Sequence, residues 1–230
     1  MPGAIDDNAS ARDAILARVR AALGKEDDRG AAAAAASAYV AAHAQGPRPA
    51  MAGDLVERFV RRATDMESTV ERIASLARLP QAVARYIDAL DLEPAIADQR
   101  SHRGVCWPEF AELDWAGAGL AIEARPTQGN DRLGITGTFC AIAETGTLVI
   151  TSGAATPTAS MLLPDTHVAV VRPDRIVAGM EEAFELVRAE RPGMPRAVNL
   201  VSGPSRTGDI EQTIVVGAHG PFRVHIVVVG

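Results

Sequence analysis

The sequence predicts an α/β fold built on a mixed, mostly parallel sheet covered on both faces. Three observations carry this expectation. From about residue 65 onward, short apolar runs alternate with longer stretches of helical periodicity, the order that produces parallel strands joined by helices. His167–Val171 reads as a buried strand, and the run Val224–Val229 as a final one. The stretch from Leu133 to Ile150 and the C-terminal tail look like hairpins, so the sheet is expected to be mixed rather than purely doubly wound. At 230 residues with 47% hydrophobic content, the chain is long enough for one large α/β domain or two small ones, with a sizeable core.

Taken in order, residues 10–23 have Ile15, Leu16, Val19 and Leu23 at helical spacing behind Ser10, a suitable cap, with Gly24 as a stop. Residues 25–50 read as a connector: a charged run, then alanines that favour helix but bring little surface to bury, then Gly46-Pro47-Arg48-Pro49. Residues 1–50 are therefore expected to be an N-terminal helix and arm, packed on another subunit of a homo-oligomer or left as a solvated tail. A domain is expected over 51–230. Leu55, Val56, Phe59, Val60 and Ala63 make an apolar helical face, the capping and breaking residues of 64–68 end it, and a short strand is expected near Thr69–Ile73. Pro80 suits the first residue of a further helix with Val83, Ile87 and Leu90 inside, and Pro94 lies beyond its end.

After residue 100 the texture becomes β-rich. Gly104–Trp107 and Leu120–Ala124 are strand candidates, and Gly129-Asn130-Asp131 is a turn. Gly134–Thr151 reads as two apolar segments joined at Glu144-Thr145-Gly146. Asp174–Glu190 has helical spacing, with Ile176, Met180, Phe184 and Val187 on its apolar side, and Ala197–Val201 is a strand.

Composition excludes several classes. A net charge of −6 provides no basic footprint for nucleic acid or an anionic membrane surface. The N-terminus carries Asp6 and Asp7 without an apolar segment, so no signal peptide is expected, and no apolar run reaches the ~20 residues of a membrane span. A soluble, cytoplasmic protein is therefore expected. Cys106 and Cys140 cannot alone ligate an iron–sulfur cluster and read as buried, reduced thiols.

The densest chemistry lies in the last thirty residues. The strand ending at Val201 runs into Ser202-Gly203-Pro204-Ser205-Arg206-Thr207-Gly208-Asp209-Ile210-Glu211. Small residues let backbone N–H groups approach an anion, and Arg206 supplies a cation able to pair a carboxylate or phosphate in two-pronged fashion. Ser202, Gly203, Ser205, Thr207, Asp209 and Glu211 complete the candidate anion site, with Thr145 and Gly146 from the neighbouring segment. The competing reading is a capped turn, with Arg206 pairing Glu211 on the surface. Glu144, at the end of an apolar segment, is a candidate base or nucleophile; its alternative is a turn glutamate in water, with Gly146 supplying a positive φ. His219 is a loop residue able to reach the same site. His225 reads as a core or sheet-face histidine and His167 as a strand-edge one. The two C-terminal histidines have no metal-ligand spacing, so no metal site is assigned. No Walker loop or Rossmann glycine fingerprint is present.

Ala143–Thr147, Leu163–His167, Ser202–Glu211 and Gly217–Pro221 together resemble the signature of the LUD domain family, and more narrowly its lactate utilization protein C branch, over residues 50–230. The resemblance implies a three-layer α/β/α domain similar to the NagB/RpiA/CoA-transferase fold. It also implies a role in oxidising L-lactate to pyruvate with two iron–sulfur partners, lactate utilization proteins A and B. The clusters are expected in those partners, and no cofactor is assigned to this chain. In CoA-transferase-like folds a strand-end glutamate is the nucleophile, a role that reaches Glu144 by fold analogy alone.

Overall fold

A computed structural model describes residues 6–23, 29–90, 102–207, 215–217 and 219–230. These fall into two compact units, residues 1–49 and 50–230. The first unit holds helices α1 (Asp6–Leu23) and α2 (Arg29–Ala42). Two expectations change here. Helix α1 begins four residues before Ser10, which is therefore inside the helix rather than its cap. The stretch read as a connector contains α2, a 14-residue helix: alanine has the highest helix propensity, and a long enough run of it suffices without a buried face.

The second unit runs α3 (Leu55–Asp65), β1 (Thr69–Ile73), α4 (Leu79–Asp88), β2 (Arg103–Cys106), β3 (Ala121–Ala124), β4 (Leu133–Thr136), β5 (Cys140–Ile142) and β6 (Thr147–Thr151). It continues with α5 (Ala159–Leu162), β7 (Thr166–Val171), β8 (Ile176–Val177), α6 (Met180–Glu190), β9 (Val198–Val201), β10 (Arg206–Thr207), β11 (Val215–Val216) and β12 (Arg223–Val229). Six strands form a sheet in the order β1-β12-β7-β4-β2-β3, with every pairing parallel. The hairpin strands gather in a separate four-stranded sheet, β8-β5-β6-β9, where β6 is antiparallel to both neighbours. The segment read as two apolar runs thus divides into three strands. β4 belongs to the large sheet, and β5 and β6 form the hairpin closed by the turn at 143–146.

Alternation along the central strands sorts the core into two faces. Val168 and Val170 of β7 and Val227 of β12 pack with Leu79, Val83 and Ile87 of α4. Ala169 and Val171, with Val224, Ile226 and Val228, pack with Phe59 and Ala63 of α3 and with Ala141 and Leu148 of the small sheet. The outer side of the small sheet is covered by α6 through Ala183.

The helix predicted over Asp174–Glu190 is shorter than its periodicity. Pro173–Arg175 is a single 3-10 turn, Ile176 and Val177 pair with β5, and α6 starts only after Gly179, whose N–H donates to the Glu182 carboxylate at 2.9 Å. A strand partner for Ile176 outweighs its helical spacing, and Met180, expected inside, is exposed. His167 is also relocated: β7 is a central strand, so this histidine is fully buried rather than at an edge, and its Nε2 pairs with Thr136 Oγ1 at 2.8 Å. His225 is a buried sheet-face histidine, stacked on Tyr86 with ring centroids 3.9 Å apart and bonded through Nδ1 to Thr69 Oγ1. Cys106 and Cys140 are free, buried thiols.

Candidate functional site

Helix α3 ends in a Schellman motif that organises the predicted residues. The Ser68 N–H bonds to Ala63 O at 3.0 Å and the Glu67 N–H to Thr64 O at 2.9 Å. Glu67 occupies the left-handed position of that motif with φ 62°, where glycine is usual. Its carboxylate pairs with Arg206 at 2.6 Å, so the arginine expected to meet Glu211 or a ligand is held instead by the end of α3. The turn after β5 packs on the same helix. Arg62 Nε donates to Glu144 O at 3.2 Å, and Gly146, at φ +68°, lies so close to the backbone of Arg62 and Ala63 that any side chain would collide. Gly203, at φ +81°, fits in the same way under the carbonyl of Met66.

A chain of hydroxyls ties the two predicted segments together. Thr145 Oγ1 and Thr147 Oγ1 are 2.7 Å apart, and Thr147 Oγ1 and Ser202 Oγ are also 2.7 Å apart. Ser205 bonds through its N–H to Pro221 O and accepts from Gly217 N–H, and Gly220 lies against its side chain. His219 is exposed on the bend before Gly220. Glu144, Thr145, Gly146, Ser202, Gly203 and Arg206 therefore converge on one rim around the C-terminus of α3, whereas Ser205 is tied to the segment from Gly217 to Pro221 and no contact brings His219 to the rim. The backbone of Thr207 is in β10, whereas Asp209 and Glu211 lie outside the described residues. Among the described residues, no three His, Cys, Asp or Glu side chains group as a metal site requires.

The rim lies at a particular place in the topology. The end of α3 leads directly into the start of β1, and Pro221 precedes the start of β12. The predicted residues thus sit at the amino ends of the parallel strands. Open α/β sheets bind ligands at the opposite edge, where the connections of two neighbouring strands leave in opposite directions. Here those strands are β2 and β4: the chain leaves β2 for the edge strand β3, and leaves β4 for β7 on the other side.

Outside the carboxyl ends of these strands is a crevice of about 270 Å³. Its polar groups come from Glu109 after β2, Gly137 and Thr138 after β4, and Arg172 after β7. Its apolar walls are Leu76, Phe110, Val170 and Val229. A side chain at Gly137 would collide with the Glu109 carboxylate, so the carboxylate rests directly on the glycine Cα. Burial raises the Glu109 carboxyl above its ordinary range, and Arg172 opposes that shift. Thr138 Oγ1 donates to Val170 O at 3.0 Å, which leaves its lone pairs to accept. Burial also pushes the neighbouring Cys106 thiol up to about 11, with Glu109 adding to the shift, so it stays protonated at neutral pH. Sequence reading missed this crevice because its residues come from strand ends that are distant in the chain. The local signals are a glycine or proline within two residues of two of the strand ends, Gly137 after β4 and Pro108 after β2.

The LUD domain model matches residues 56–229. Lactate utilization protein C of Deinococcus radiodurans is 31% identical over 192 residues, covering 80% of this chain and 84% of that one. The protein of the same description from Exiguobacterium is 29% identical over 180 residues, 76% of this chain and 78% of the relative. That from Bacillus subtilis is 36% identical over 129 residues, 54% and 53% of the two chains. Among solved structures, a DUF162 family protein from Deinococcus radiodurans superposes with a TM-score of 0.55 at 27% identity, over 79% of this chain and 100% of that one.

Proposed function

Because the chain belongs to the LUD domain family, we propose that it is a subunit of an L-lactate utilization system. It supports the oxidation of L-lactate to pyruvate in the cytoplasm, together with iron–sulfur partners of the lactate utilization A and B types. The observation that carries this reading is the similarity to Lactate utilization protein C of Deinococcus radiodurans across most of both chains. Electron transfer falls to the partners, since the two cysteines of this chain are too few to ligate a cluster.

The rim at the end of α3 docks a partner. Arg206 is 39% exposed and its carboxylate partner Glu67 65% exposed, and Ser202 on the same turn is exposed too. A mixed-charge, hydroxyl-rich surface of this kind suits a polar protein interface. A second reading gives the rim to a small anion, with Arg206 as its cation and Glu144 moving a proton; the hydroxyl chain from Thr145 to Ser202 favours it.

A strain lacking this chain is expected not to grow on L-lactate as sole carbon source, and the wild-type chain is expected to restore growth. Arg206→Glu is expected to restore growth poorly and to lose co-purification with the iron–sulfur proteins while its circular dichroism is unchanged. Full growth of the deletion strain on L-lactate would remove the functional reading. Normal co-purification by Arg206→Glu would remove the docking role and leave the anion reading of the rim.

A further inference from the structure

We propose that the crevice at the carboxyl ends of β2, β4, β7 and β12 is a binding site for a small monocarboxylate bearing a hydroxyl on its second carbon. The ligand carboxylate would pair with Arg172, and the hydroxyl would meet the Glu109 carboxylate. The choice of a 2-hydroxy acid rests on the lactate reading above; the place of the site and its taste for one carboxylate do not.

Four observations combine. First, the crevice lies outside the strand ends flanking the point where the connections diverge, the position that open parallel sheets use for ligands. Second, its volume of about 270 Å³ and its apolar walls suit a small molecule with a short apolar tail. Third, the polar groups are few and of complementary kinds. Arg172 carries five N–H donors, of which Nε meets Asp174 at 3.3 Å on the exposed side. Thr138 provides an acceptor, and Glu109 a carboxylate placed to accept from a ligand hydroxyl. One guanidinium and one carboxyl in the same crevice select a single negative charge: a second ligand carboxylate would face Glu109. Fourth, Gly137 makes the Glu109 position possible, since any Cβ there would displace the carboxylate. The crevice is on the opposite edge of the sheet from the rim around α3, so ligand binding and docking are separable.

Titration calorimetry on the full chain tests the inference, with L-lactate, 2-hydroxybutyrate, propionate and lactamide as probes. L-lactate and 2-hydroxybutyrate are expected to give saturable binding. Propionate, which lacks the oxygen, and lactamide, which lacks the charge, are each expected to bind at least tenfold more weakly. Arg172→Met should weaken L-lactate at least tenfold, whereas Arg188→Met, the same charge removed from α6, should not. Gly137→Ala moves the carboxylate and should abolish the preference for L-lactate over propionate. A melting temperature within a few degrees of wild type keeps each variant interpretable. No saturable heat with either hydroxy acid, or an Arg172→Met variant that binds L-lactate as wild type does, overturns the site. The two proposals fail separately. Absence of binding in a chain that is still needed for growth on L-lactate removes the crevice alone. Binding by a chain dispensable for that growth removes the lactate role alone.

Discussion

Glu67 occupies a backbone position that costs an ordinary residue roughly 1–2 kcal/mol relative to glycine, at φ 62° in the Schellman turn after α3. Its carboxylate holds Arg206 at 2.6 Å, an exposed pair contributing less than about 1 kcal/mol. The two magnitudes do not balance on stability grounds, which fits a residue retained for what it does to Arg206. Glu67→Gly is therefore expected to raise the melting temperature by roughly 2 °C, since 1 kcal/mol corresponds to about 2–4 °C in a domain of this size, while weakening partner co-purification. A lower melting temperature would contradict this, as it would mean that the ion pair outweighs the backbone strain. Gly146 and Gly203 show the opposite case, because the backbone of α3 leaves no room for any side chain there.

At the scale of elements, the buried histidines of β7 and β12 set the response to acid. Burial lowers both His167 and His225 from the ordinary 6.5 to about 4, with Glu71 opposing the shift at His225. His167 Nδ1 has no hydrogen-bond partner, so its protonation would bury an unsatisfied N–H, whereas His225 Nε2 has Glu71 3.9 Å away as a partial partner. Below pH 6.5 the unfolded chain binds protons that the folded chain refuses. The stability these two groups support is thus complete above pH 6.5, falls as the pH drops toward 4, and levels off below it. By pH 5 each is expected to have cost roughly 2 kcal/mol. Urea denaturation at pH 7 and pH 5 measures the difference, and His225→Phe, which keeps the ring stack on Tyr86, should remove about half of it. A pH-independent midpoint over that range would contradict the account.

The same elements show what the sequence makes legible. The α3–turn–β1 unit is legible because its signals are local: an apolar helical face from Leu55 to Ala63, breaking residues at 64–68, then β-branched residues. The β8 strand is not, because two residues become a strand only when β5 lies alongside, and nothing near Ile176 signals that pairing. The burial of His167 is illegible for a related reason, since centrality in a sheet depends on strand order and not on the residues beside it. The candidate residues of the rim were legible as a composition: Ser202–Arg206 and Glu144–Gly146 do come together. Which edge of the sheet they occupy was not, because that follows from topology.

For the whole molecule, the six-stranded parallel sheet separates two kinds of surface. At its amino edge, α3 gathers a polar, exposed rim of sequence-dense motifs; at its carboxyl edge, four strand ends enclose a crevice with one carboxyl, one guanidinium and apolar walls. A subunit that docks with one edge and holds a small acid at the other would present that acid while partners carry the electrons. The most direct measurement is reduction of an artificial electron acceptor by the purified iron–sulfur partners in the presence of L-lactate, with and without this chain. The account predicts that lactate-dependent reduction requires the chain and is lost with Arg172→Met. Equal rates with and without the chain would contradict its role as a working subunit of lactate oxidation.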